Sequence, residues 1–245
     1  MPDYHTADQL PYDATMTPTE IATNISEVTA RIRAAEDAAG RPAGAVSLLA
    51  VSKTKPPALI RLAYAQGLTA FGENYAQEMA EKARAVADLN ISWHFIGPIQ
   101  SNKTAVIAEI CDWVHSVDRL KIAQRLSQQR PSDREPLNLL LQINISGEDT
   151  KAGVSPAAAP ALIDQIAALP NLIVRGLMAI PAPASTRTDP QAPFRALRLL
   201  QEQLAVSHPN LDTLSMGMSA DLEAAIAEGA TLVRVGTDIF GARYN

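Results

Sequence analysis

The stretch Val46-Ser47-Leu48-Leu49-Ala50-Val51-Ser52-Lys53-Thr54-Lys55-Pro56 is an apolar run that ends at an amine and turns into a proline-led segment. A short aliphatic run bounded by polar residues reads as a buried strand, and proline suits the first turn of the helix that follows. A strand, a helix and a further strand in succession build a parallel sheet covered by helices. An open sheet of the dinucleotide-binding kind would carry a glycine-rich turn after this first strand. Ser52-Lys53-Thr54-Lys55 stands there instead, which weakens that reading.

Working outward, strand-like runs count to eight: Val46 to Ser52, Thr69 to Gly72, Ser92 to Ile96, Trp113 to Val117, Leu137 to Ile145, Leu172 to Ile180, Thr213 to Met216 and Leu232 to Val235. Amphipathic segments separate them, at Pro57 to Gln66, Ala76 to Ala87, Lys103 to Glu109, Asp118 to Gln129, Pro156 to Ala168, Pro193 to Ala205 and Asp221 to Glu228. Eight alternations in 245 residues predict an α/β fold, a (β/α)8 TIM-type barrel forming a single domain. An extra N-terminal helix is signalled by Thr17-Pro18-Thr19-Glu20, a capping box with proline at the first helical position. Ile21, Ile25, Val28 and Ile32 fall on one face of it, and Gly40 is placed to end it. Residues 1–16 are polar with scattered prolines and are expected to form a flexible tail before a barrel over 17–245. The loop from Pro181 to Pro193 reads either as a mobile cover or as an ordinary surface excursion.

Composition excludes several classes. Apolar residues make up 47% of the chain and aromatic ones 4%, which suits a helix-rich α/β protein better than a β-sandwich. A net charge of −5 argues against nucleic acid or an anionic membrane as a partner, because both need a concentrated basic face. Cys111 is alone, so no internal disulfide forms. Met1-Pro2-Asp3-Tyr4-His5 has no secretory pattern, and no stretch is long and apolar enough to span a bilayer, so a cytoplasmic location is expected. Cys111 and His115 are four apart, but no further residues complete a zinc set, and neither a Walker loop nor a nucleophile elbow occurs. No metal is expected.

In a barrel, chemistry sits at the carboxyl ends of the strands, with phosphate at the loops after strands seven and eight. The polar groups expected on that rim are Lys53, Glu73, Asn74, His94, Ser146, Ser215, Ser219, Gly236 and Thr237. Lys53 shares a strand face with Val51, so an inward Val51 would aim Lys53 into the mouth, where partial burial favours the neutral amine of a Schiff base. A solvated surface lysine is the plainer alternative, and Lys55 has the same parity. Arg234 lies inside an apolar strand and needs an acceptor, either a protein carboxylate in a salt bridge within the barrel or a ligand. Gly236-Thr237 and Ser215-Met216-Gly217-Met218-Ser219 occupy the two phosphate positions. His94 reads as a hydrogen-bonded wall residue, and Lys151 as a solvated loop lysine with a secondary amine role as the rival.

Together these strings resemble the pyridoxal phosphate homeostasis protein family, of the YggS/PROSC type. The resemblance is carried by Ala50 to Pro56, Phe71-Gly72-Glu73-Asn74-Tyr75, Trp93 to Lys103, Gly176-Leu177-Met178, Ser215 to Ser219, and Arg234 to Thr237 running on to Phe240-Gly241-Ala242-Arg243. It implies the barrel of the alanine racemase N-terminal domain, with pyridoxal 5′-phosphate held on Lys53 as an internal aldimine. Ser219, Gly236 and Thr237 would then hold the phosphate, Arg234 would face the pyridine nitrogen, and Asn74 would lie near the ring. An arginine keeps its proton, so it would leave that nitrogen unprotonated and weaken the electron sink. The resemblance further implies reversible cofactor carriage and supply to apo-enzymes, with no established turnover. No added β-domain is expected after strand eight, only Lys53 stands out as a base, and a monomer is expected. The alternative functions are an amino-acid racemase or lyase, and a barrel for another phosphorylated metabolite.

Overall fold

The structure, a computed structural model, describes residues 16–147, 152–182 and 189–242. The tail before residue 16, Lys151, residues 183–188 of the Pro181 to Pro193 loop, and Arg243 lie outside the described residues. Eight strands close a barrel in sequence order: β1 (Ser47–Val51), β2 (Ala70–Glu73), β3 (Ser92–Phe95), β4 (Trp113–Val117), β5 (Leu137–Gln142), β6 (Leu172–Met178), β7 (Thr213–Met218) and β8 (Leu232–Val235). Every neighbouring pair is parallel, and β8 returns to β1 with Ser47 opposite Leu232 and Leu49 opposite Arg234. The expected barrel is therefore the observed one.

Period-two alternation divides each strand between two cores. Outward residues such as Ala50, Phe71, Val114, Leu139, Leu177, Leu214 and Val233 join the main cluster with the helices. Among these helices are α2 (Pro57–Ala65), α3 (Ala76–Ala85), α4 (Thr104–Ile110), α5 (Leu120–Gln129), α6 (Ala159–Ala167), α7 (Ala192–Ala205) and α8 (Leu222–Ala227). Leu49, Leu140, Met178 and Leu232 are buried but stand outside that cluster, on the inward face. Register links that face around the barrel: Leu49 to Arg234, Leu232 to Ser215, Ser215 to Met178, Gly72 to His94 and His94 to Trp113.

The leading helix α1 (Pro18–Ala38) starts as its capping box predicts, with Thr17 N–H donating to Glu20 Oε2 at 2.7 Å and Glu20 N–H to Thr17 Oγ1 at 3.2 Å. Ile21, Ile25, Val28 and Ile32 are its buried stripe. It packs on α8 and on α9 (Thr237–Phe240), the short helix after β8. Strand five is shorter than its apolar run suggests. Ile143 N–H still reaches the Met178 carbonyl at 2.8 Å, but here the backbone also pairs with its own loop, Asn144 N–H donating to the Val154 carbonyl and Val154 N–H to that of Gln142, each at 2.9 Å. Gly153 makes this possible: at φ +123° it sits where a Cβ would lie 2.6 Å from the Asn144 nitrogen.

Candidate functional site

Lys53 sits half-buried in the turn between β1 and α2. Leu49 is inward, since a Cβ on Gly72 would touch its side chain at 3.2 Å, and Val51 meets Gly236 across the β1–β8 seam. The inward face of β1 thus carries Leu49 and Val51, and Lys53 follows two residues on in the turn. Lys55, the rival, donates from its amine to the Ala242 carbonyl at 3.1 Å and ties the turn to the chain beyond α9. The backbone on both sides of Lys53 is clamped. The Ser52 carbonyl accepts from Lys82 Nζ at 2.6 Å and its hydroxyl donates to Glu73 Oε1 at 2.6 Å, while Thr54 N–H donates to Glu78 Oε1 at 2.5 Å. Lys82 also pairs with Glu73 at 2.7 Å and Glu78 at 2.6 Å. Burial raises the Glu73 carboxyl above its ordinary range despite the pull of the Lys82 ammonium.

Asn74 follows β2 on the same parity as inward Gly72. Its Oδ1 is buried with no hydrogen-bond partner, an unfinished polar shell that a ligand in the mouth would complete. The chain after β3 crosses directly over it: a Cβ on Gly97 would fall 2.2 Å from the Asn74 carbonyl oxygen, so only glycine fits. Glu73 points the other way, to Lys82 on α3, and is therefore not on the rim expected for it. Ser146 is on the rim, accepting from Ala182 N–H at 3.4 Å.

Arg234 is 4% exposed on the inward face of β8. Nη1 donates to the Ser215 carbonyl and hydroxyl, both at 2.7 Å, and Nη2 to the Ala179 carbonyl at 3.0 Å. These acceptors are neutral carbonyl and hydroxyl groups, so the carboxylate of an internal salt bridge, one of the two expected acceptors, is not what holds it. Burial lowers its pKa to about 10, opposed by Asp221, so it stays cationic at neutral pH. Gly236 follows it, and α9 opens at Thr237, whose side chain is exposed.

Ser219 lies beside this turn. Its carbonyl accepts from Arg31 Nη2 at 2.9 Å, and Arg31 also reaches Asp238 at 2.6 Å and Glu223 at 2.8 Å. One arginine of α1 therefore braces the loops after β7 and β8 from outside. Neither Arg31 nor the Lys82 cluster was flagged by the sequence, because surface-type residues far apart in the chain give no local signal.

His94 and Ser215 are placed beneath the rim rather than on it. His94 Nδ1 meets His115 Nε2 at 3.0 Å, and His115 Nδ1 meets Ser215 Oγ at 2.9 Å. Cys111 packs outside the barrel wall against Met79, with Sγ 3.4 Å from its sulfur, so it does not converge with His115. Burial depresses the His94 pKa to about 3 and pushes that of His115 well below its ordinary value, with His94 and Arg234 adding to the latter. Both pKa values lie below the unfolded one, so their contribution to stability is full above about pH 6.5 and drains as pH falls, for His94 down to about 3. Acidification from about pH 7 to about pH 5 should therefore cost roughly 2 kcal/mol at His94, with a further loss of the same sign at His115, read as a falling urea midpoint. His115→Asn, which cannot take the proton, should flatten that fall by its share.

The chain matches the family described as alanine racemase, N-terminal domain, over residues 23–244. It is similar to a pyridoxal phosphate homeostasis protein of Pseudomonas aeruginosa, 60% identical over 223 residues, covering 91% of this chain and 96% of that one. A protein of the same name from Escherichia coli is 49% identical over 227 residues, covering 91% and 97%. The solved structure of PipY from Synechococcus elongatus, with PLP bound, overlays with a TM-score of 0.77 at 37% identity, covering 90% of this chain and 100% of that one. Such identity over almost the full length of both partners, on the same eight-stranded barrel, means that the chain belongs to the pyridoxal phosphate homeostasis protein family.

Proposed function

We propose that this protein binds pyridoxal 5′-phosphate in the barrel mouth, holds it on Lys53 as an internal aldimine, and supplies it to apo-enzymes in cofactor homeostasis. The observation that carries this reading is the β1–β8 register, which sets the buried Arg234 guanidinium beneath Gly236 on the face that leads to Lys53. The residues fit the group. Ser219, Gly236 and Thr237 stand where barrels take phosphate, and the unpartnered Asn74 Oδ1 can accept a hydrogen bond from the ligand. Arg234 can only donate, so toward a ring nitrogen it acts as a hydrogen-bond donor and never as a carboxylate would. When bound, the cofactor supplies a carbonyl for amines and an electron-withdrawing ring. Loss of electron sink at an arginine-paired ring suits carriage better than turnover. We take the protein to act as a cytoplasmic monomer, in keeping with its acidic charge and with described helices that are all too short or too polar to cross a membrane.

Reconstitution tests the assignment. Protein mixed with the cofactor should turn yellow, borohydride should fix it to the peptide containing Lys53, and unreduced holo-protein should restore activity to an apo-enzyme. A colourless, unmodified protein would overturn the reading. Rapid exchange of the Cα hydrogen of an amino acid in deuterated water, with turnover, would replace carriage by a racemase or lyase function.

A further inference from the structure

Barrel interiors are ordinarily filled by layers of branched aliphatic side chains. Here a line of polar side chains runs through the interior. Arg234 Nη1 donates to Ser215 Oγ at 2.7 Å, Ser215 Oγ meets His115 Nδ1 at 2.9 Å, His115 Nε2 meets His94 Nδ1 at 3.0 Å, and His94 Nε2 meets Ser92 Oγ at 3.3 Å. Ser215 and His115 are fully buried and His94 is nearly so. Trp113 stacks flat on His94, with centroids 5.7 Å apart at 3°, and Arg175 covers Trp113 at 5.1 Å. Arg234 thus caps one end of the line through Ser215, and burial holds both rings neutral.

Neutral imidazole has one donor and one acceptor nitrogen, and guanidinium has donors only. Starting at Arg234, those rules give the line one direction. The Ser215 hydroxyl accepts from Arg234 and, of its two partners, only His115 Nδ1 can take its proton, which places that proton there. His115 is then the Nε2–H tautomer and donates to His94 Nδ1, and His94 donates from Nε2 to Ser92. The reverse order would leave the buried Ser215 proton without one of these acceptors and turn the His115 N–H dipole toward a cation. Each lone pair in the forward order faces Arg234 and each proton faces away.

We propose that Ser215, His115 and His94 form a one-way hydrogen-bond chain that fixes Arg234 as a directed donor, making Ser215 and His115 positioning residues for the cofactor's ring nitrogen. This rests on the reading that Arg234 faces that nitrogen. Three of the five guanidinium N–H bonds are spent on Ser215 and Ala179, so at most two remain, and the chain decides which way they point.

The test uses full-length protein and two kinds of readout. Nitrogen NMR of histidine-labelled protein without cofactor should show His94 and His115 both as neutral Nε2–H tautomers. An Nδ1–H tautomer or a protonated ring at either position at neutral pH would overturn the chain. With pyridoxal 5′-phosphate loaded, Ser215→Ala and His115→Phe should speed cofactor dissociation about tenfold, the scale of one hydrogen bond to a charged group, and shift its absorption band. His115→Asn can still accept from Ser215 and should stay close to wild type. A purely space-filling ring would give the opposite ranking, with Phe tolerated better than Asn, and that result would overturn the proposal. Borohydride fixation at Lys53 is measured in each variant. Failure to fix in the wild type overturns the site reading and the ring-nitrogen role with it, whereas normal fixation with unchanged spectra and dissociation in all variants overturns the chain alone.

Discussion

Lys53→Ala should leave the barrel folded and remove covalent capture of pyridoxal 5′-phosphate. The side chain is half-buried in a turn whose backbone is held by its neighbours: the Ser52 carbonyl and hydroxyl and the Thr54 N–H carry the bonds to Lys82, Glu73 and Glu78. Deleting Lys53 past Cβ leaves each of those backbone and Ser52 bonds in place, so the variant should still fold with a cooperative urea transition. Retention of the cofactor through gel filtration should fall by more than about tenfold, at least 1.4 kcal/mol of apparent affinity. No mass increment should appear after borohydride. Lys53→Arg separates the chemistry from the charge, because a guanidinium keeps its proton and forms no imine. If capture is covalent, Arg fails as Ala does. Retention by the Arg variant, or fixation at Lys55 at the wild-type rate, would mean that Lys53 is not the anchor.

How far this site could be read in advance depends on whether a residue contradicts its own neighbourhood. Lys53 and Arg234 stood out because each is a charge set against an apolar strand, and period-two parity already assigned their faces. Asn74, Gly236 and Thr237 were legible from strand ends once eight strands had been counted. The interior chain was not. Parity can say that His94, His115 and Ser215 face inward, but contacts between residues 94, 115 and 215 depend on strand tilt and register, which composition does not carry. The same holds for Arg31, whose carbonyl partner Ser219 is 188 residues away. Strand ends were less legible than strands: the run from Leu137 to Ile145 keeps an apolar residue at every second position to its end while the backbone has already turned to bond with Val154.

Lys82→Met should be among the most destabilising single substitutions in the described residues, at about 3–5 kcal/mol, and should slow capture at Lys53 besides. The Lys82 ammonium has three acceptors, Ser52 O, Glu73 Oε1 and Glu78 Oε1, and its side chain is 5% exposed. Removing it leaves Glu73 at 0% exposure with only the Ser52 hydroxyl for company. Burial already raises the Glu73 pKa above its unfolded value, and loss of the cation raises it further. A carboxyl with a raised folded pKa is favourable below its unfolded pKa, and that advantage is lost as pH rises through the folded one. The gap between Lys82→Met and wild type should therefore narrow as pH is lowered from about 8 to about 5, although both lose stability through the two histidines. Adding Glu73→Gln to Lys82→Met should recover most of the loss at neutral pH, because the uncompensated charge is gone. The turn itself will not fully recover. Thr54 sits at φ +62°, a conformation that costs a β-branched residue on the order of 1–3 kcal/mol, and its N–H is held there by the same Glu78 that Lys82 pairs with. Urea midpoints across pH report the first effect and the rate of borohydride-trappable capture the second. A double variant with wild-type stability and a still-slow capture rate would show that the cluster under Lys53 orients the amine as well as holding the fold, and equal recovery of both would reduce it to a structural ion pair.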